Sequence, residues 1–171
     1  MLRNQYLTLR RQYEPEHVKL VIVAESPPAS GLYFYNPEGR VTEPLFTALM
    51  QQLDSHCRDK ADGLLKLQQS GWLLIDATYQ PVNDLNDTQR RQVIERDFPL
   101  LHDDLERLTH DRSVPLILIK ENVCRLLEAR LVREGFNVLN RGVVVPFPST
   151  GHQKRFHEIF AAVRRSARYL A

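Results

Sequence analysis

The stretch VKLVIVA, Val18 to Ala24, runs directly into Glu25-Ser26-Pro27-Pro28, and this junction decides the fold. Seven nearly continuous apolar and β-branched residues read as a strand buried on both faces, the pattern of a central strand in a parallel sheet. The two prolines lack the backbone donors a ladder needs, so pairing stops there and a loop begins at the strand's carboxyl end. A parallel strand needs a crossover to its neighbour, and the residues that follow supply one. Thr42-Glu43-Pro44 opens a helix whose Leu45, Phe46, Leu49 and Leu53 share a face, and a second helical stretch covers Gly63 to Gln69.

The same pattern then repeats. Gly71 to Ala77 (GWLLIDA) is an apolar run leading to a polar residue and the loop Thr78-Tyr79-Gln80-Pro81-Val82-Asn83. Asp87-Thr88 caps a helix that carries Val93, Ile94, Leu100, Leu101, Leu105 and Leu108, with a bend expected at Pro99. Val114 to Ile119 is the third strand, and Glu121 to Arg133 is the helix after it. Phe136 to Leu139 and Val143 to Val145 form a last strand region, which ends at Pro146-Phe147-Pro148-Ser149-Thr150-Gly151. The final helix runs from near His152 to about Tyr169. Alternating strands and helices predict an α/β fold, three layers α/β/α around a mainly parallel sheet of about four strands. Ligands of such sheets sit outside the carboxyl ends of the strands, which points to three loops: 25–28, 78–83 and 146–151.

Bulk composition narrows the function classes. The 171 residues suit one core, and no repeat or linker divides them, so residues 1–171 read as a single domain. A formal charge of +2 is too small to imply nucleic acid by itself. Its distribution is uneven, with Asp103, Asp104 and Glu106 in the middle and Lys154, Arg155, Arg164, Arg165 and Arg168 near the end. Cys57 and Cys124 are far apart and outside any C-x-x-C spacing, so neither a disulfide framework, a zinc site nor an iron–sulfur cluster is expected. The six histidines show no ligand spacing, and no metal or cofactor is implied. Met1 to Arg11 lacks the apolar core of a signal peptide, and no apolar run approaches the roughly 20 residues of a membrane span. The expectation is a soluble, cytoplasmic monomer.

Four segments resemble the uracil-DNA glycosylase superfamily, in order and over roughly Val18 to Phe160. LVIVAESPP followed by GLYFYN is similar to the family's first motif, where a strand ends in Gly-Gln-Asp-Pro-Tyr or Gly-Glu-Ala-Pro-Gly and a Gly-Leu-Cys-Phe-like segment follows. GWLLIDATYQPVN resembles the second strand, VPLILIKENVCRLL the third strand and its helix, and PFPSTGHQKRF the His-Pro-Ser-Pro loop. The resemblance implies that fold, DNA as partner, and a glycosylase-like hydrolase that removes or recognises a flipped modified or mismatched base. The competing expectation is a catalytically inactive module that keeps the fold and a nucleic-acid or nucleotide pocket.

Several site residues carry over with changes. Glu25 and Ser26 fall at the catalytic motif: Glu25 supplies a carboxylate near the sugar, but Ser26 stands where the family's water-positioning Asp would fall. Phe34 takes the base-stacking position, its other reading being part of a hydrophobic lid with Tyr33 and Tyr35. Asp76 replaces the Asn that reads the base edge. An ionised carboxylate only accepts hydrogen bonds, whereas an amide also donates, so Asp76 implies either a base with an exocyclic amine or a protonated carboxyl with a raised pKa. Phe147 replaces the family's His, which removes a donor to the leaving base and offers an aromatic wedge in exchange, or simple packing between two prolines. Pro148, Ser149, Thr150 and His152 with Lys154 and Arg155 make a DNA-contacting loop and helix start, where free amides and the helix dipole favour phosphate. The plainer reading is a capped helix with a solvated basic face.

Overall fold

The computed structural model describes residues 2–166, so Arg168 and Tyr169 lie outside the described residues. The apolar run at residues 18–24 yields β1 (Leu20–Ala24), buried along its whole length. Upstream of it lies α1 (Arg3–Arg11). The crossover from β1 contains α2 (Pro44–Gln52), with Pro44 in its first turn, and α3 (Lys60–Gln69), capped by the Asp59 side chain on the Asp62 amide. Next come β2 (Trp72–Asp76) and α4 (Asp87–Thr109), where Asn86 and Gln89 form a capping box and the helix runs on through Pro99. β3 (Leu116–Leu118), α5 (Glu121–Arg133) and α6 (Gln153–Ser166) complete the chain.

The three strands form an all-parallel sheet in the order β2-β1-β3. β1 is central, with a strand on each side, and its five residues are all buried, which explains why its sequence is so uniformly apolar. In register, Ala24 pairs with Asp76, and Val23 pairs with both Ile75 and Leu118. The polar residues that follow the three apolar runs therefore emerge at one end of the sheet.

The region expected as a fourth strand makes two isolated parallel bridges instead, Leu116 with Val138 and Ile119 with Val145. Asn140 explains the gap between them. Its side-chain amide accepts from the Leu118 N–H at 3.0 Å and donates to the Leu118 carbonyl at 3.0 Å. A buried side chain thus takes the two bonds that a fourth strand would have made, and the chain turns away through Gly142 at φ 68°. The helix pairs with the most extensive contact are α2 with α6 and α4 with α5. Gly63 is needed where α3 meets α2, since a Cβ there would come within 2.5 Å of Phe46 Cζ. Among the described residues no helix is long and apolar enough to cross a membrane.

Candidate functional site

A cavity of about 480 Å³ opens at the carboxyl end of the sheet, lined from all three strand tips. Its volume falls in the range of about 300–1,000 Å³ usual for small-molecule sites. Glu25 and Ser26 reach it from the end of β1, Asp76 from β2, Lys120 from β3, and Phe147 and Ser149 from the last loop, with Phe34 and Tyr33 also in its wall. Six of the residues singled out in the sequence are met here at one place or in its walls: Glu25, Ser26, Phe34, Asp76, Phe147 and Ser149.

Glu25 is buried, yet its charge is matched. Lys120 Nζ contacts Oε2 and Asn122 Nδ2 donates to Oε1, while the Arg90 guanidinium lies 3.9 Å from Oε1. None of these three partners was singled out in the sequence, although Lys120 carries a readable signal. It follows VPLILI as Glu25 follows LVIVA and as Asp76 ends WLLID, so it holds the same place on the third strand. Ser26 serves the loop: its hydroxyl oxygen accepts from the Val82 N–H at 3.4 Å, joining the first and second strand tips.

Asp76 has the opposite environment. It is 5% exposed, and among the described residues no group donates a hydrogen bond to its carboxylate. Burial pushes its pKa up to about 7, against a smaller downward pull from Arg10. Arg10 is itself committed elsewhere, held between Asp104 at 2.5 Å, Glu14 at 2.9 Å and the Tyr79 hydroxyl at 2.6 Å. Four tyrosines surround this region: Tyr6 and Tyr33 meet edge to face at 4.7 Å, with Tyr35 and Tyr79 beside them. Burial and then the nearby Asp76 raise the pKa of Tyr33, so its phenol stays protonated, and its buried oxygen has no hydrogen-bond partner. A buried polar group left unpaired costs about 1–3 kcal/mol.

Phe34 is buried in the aromatic wall, 5.0 Å from Tyr35 and 5.8 Å from Phe46 between ring centroids. Phe147 is 37% exposed at the cavity mouth, in the loop before α6. The remaining DNA-contact candidates divide. Pro148 is buried, whereas Thr150, His152, Lys154 and Arg155 are exposed and do not line the cavity; Lys154 lies 3.9 Å from Glu158 on its own helix. Arg164, in the basic end of the chain, instead donates to the Gln52 carbonyl at 3.1 Å and lies over the Trp72 ring.

A second cavity of about 390 Å³ shares Asp76 and is otherwise lined by the second strand's loop, α1 and α4, including Arg3, Thr78, Tyr79, Arg96 and Asp97. Among the described residues no group of three or more His, Cys, Asp or Glu could hold a metal ion. Compared with family models, with curated proteins and with solved structures, the chain matches none.

Proposed function

We propose that the larger cavity receives a nucleobase flipped out of DNA, and that the protein is a glycosylase-like hydrolase with the three-layer fold of the uracil-DNA glycosylase superfamily. The observation that carries this reading is convergence: a carboxylate and an aromatic wall from the connection after β1, a base-edge reader from the end of β2 and an exposed aromatic from the loop before α6 share one cavity. Phe34 with its neighbours offers the stacking surface, and base–aromatic stacking contributes about 1–3 kcal/mol per base. Phe147 is exposed enough to enter the space the base leaves.

In the reaction, the water oxygen bonds to C1′ of the sugar, the C1′–N bond breaks with its electron pair going to the base, and the water's proton ends on the base. Positive charge grows on the sugar in the transition state, and Glu25 is the carboxylate available to oppose it. Asp76 with a pKa of about 7 has both forms populated at neutral pH. Protonated, it donates to a carbonyl and accepts beside it, as an amide does; ionised, it accepts from an amine. The raised pKa therefore supports the second of the two sequence expectations without removing the first.

A second reading has its own observation. Both Glu25 oxygens are engaged by Lys120 and Asn122, an arrangement that suits a binding module as well as an enzyme. Oligonucleotides carrying uracil, hypoxanthine, and alkylated or amino-bearing bases separate the two when scored for abasic sites. The enzyme reading expects excision of at least one base, falling by about two orders of magnitude or more in Glu25→Ala. Salt-dependent binding with no excision of any base would establish the module instead.

A further inference from the structure

Lys120 is unused by the hydrolysis just described, yet the fold places it with unusual backbone geometry. It adopts φ 84° and ψ 139°, a conformation that belongs to glycine. Hydrogen bonds enforce it from both sides: the Ile119 N–H donates to the Val23 carbonyl at 2.9 Å, the Lys120 N–H to the Val145 carbonyl at 2.8 Å, and the Lys120 carbonyl accepts from Cys124 N–H at 3.0 Å as α5 begins. The result is an amine in the cavity wall, about one-third exposed, in contact with the Glu25 carboxylate. Of the five lysines in the chain, only Lys120 lines this cavity. Lys60 is buried against Glu43 and the Tyr33 carbonyl, and Lys19, Lys66 and Lys154 are elsewhere on the protein.

A primary amine in a solvent-reached cavity can form an imine with an aldehyde once it has given up its proton, and the Glu25 carboxylate in contact with it is an acceptor at hand. We propose that Lys120 is such a nucleophile and that it acts on the ring-opened sugar of an abasic site, giving a DNA strand-cleaving lyase activity beyond base removal. The DNA substrate in this proposal rests on the nucleobase reading of the cavity. Lys120 Nζ adds to the C1′ aldehyde, and the carbinolamine hydroxyl leaves as water with the proton that Glu25 took from the amine, which forms the imine and leaves Glu25 ionised again. Glu25 takes the C2′ proton, the C2′–H electron pair becomes the C2′=C3′ double bond, and the 3′ phosphate leaves with the electrons of the C3′–O bond. Water then hydrolyses the imine and frees the lysine.

Borohydride reduction in the presence of an oligonucleotide with one abasic site tests this. A covalent protein–DNA adduct is expected with the unaltered protein and with Lys19→Ala, mapped by peptide analysis to Lys120, and at least tenfold less with Lys120→Arg. That variant keeps a cation on Glu25 while removing the reactive amine. Binding of the abasic oligonucleotide without an adduct, or an adduct that persists in Lys120→Arg, overturns the proposal and leaves the nucleobase reading standing. If the oligonucleotide is not bound at all, the nucleobase reading fails, and glyceraldehyde with cyanoborohydride tests the amine alone. Modification of Lys120 ahead of Lys19, Lys66 and Lys154 sustains the nucleophile, and equal or slower modification overturns it.

Discussion

Two carboxylates stand at the ends of adjacent strands, Glu25 one residue beyond Ala24 and Asp76 beside it, and both are buried. Their surroundings are opposite. Glu25 has an ammonium, an amide donor and a guanidinium around it, drawn from α4, the end of β3 and the start of α5. Asp76 has phenols and apolar strand residues, and its nearest compensating cation, Arg10, is already bound to Asp104 and Glu14. Burying a carboxylate whose nearby cation is committed elsewhere works against stability, so Asp76 does not help to hold the fold. One strand tip surrounds its carboxylate with cations and an amide donor, and its neighbour leaves the carboxylate without them.

That contrast can be broken by substitution. A rise of the Asp76 pKa from its ordinary 3.8 to about 7 means that the folded protein binds this proton more tightly than the unfolded chain does. The penalty is absent below about pH 4, grows as pH rises, and is complete above about pH 7, where it amounts to roughly 4 kcal/mol. Asp76→Asn removes the titration. Its stabilising effect in urea unfolding is expected to be near zero at pH 4 and to approach about 4 kcal/mol at pH 8; a gain independent of pH would show that burial does not perturb this carboxyl.

The Glu25 side of the comparison is sharpened by a smaller effect. Lys120→Ala and Lys120→Gly both remove the ammonium from Glu25, but only glycine relieves the backbone at φ 84°. Lys120→Gly should therefore be more stable than Lys120→Ala by about 1–3 kcal/mol in the same unfolding measurement. Equal stability would mean that the loop relaxes when the side chain is lost and that its geometry is not imposed by the sheet.

Much of this architecture could be read from the residues. Uninterrupted apolar runs identified β1 and β2, and the helix expected at Glu121 to Arg133 is α5 to the residue. The parts that escaped are those where a side chain does the work of backbone or where charge is buried. α1 is rich in polar residues and its sequence does not announce a core element, yet it delivers Arg10 into the interior. Arginine at 0% exposure has no signature in a hydrophobic pattern, and of its partners only Glu14 is near in sequence, while Asp104 comes from α4. Asn140 is equally silent, since nothing local announces that its amide will occupy the edge of β3. At the site, the polar residues at strand ends, Glu25 and Asp76, were legible in the sequence, and Phe34 and Phe147 were candidates through the family resemblance. What each is paired with was not, because Lys120, Asn122 and Arg90 reach Glu25 across long separations in sequence. The exposed positions Thr150, His152, Lys154 and Arg155 were legible only as a surface, and the cavity does not include them.

Base extrusion is the claim on which the reading of the cavity depends, and 2-aminopurine fluorescence measures it directly. With the analogue placed in a mismatched duplex, binding of the protein should unstack it and raise its emission, and Phe147→Ala should diminish that rise while leaving the fold intact. Salt-dependent binding with unchanged emission would contradict the claim, because the base would then remain in the stack and the cavity would be receiving something else.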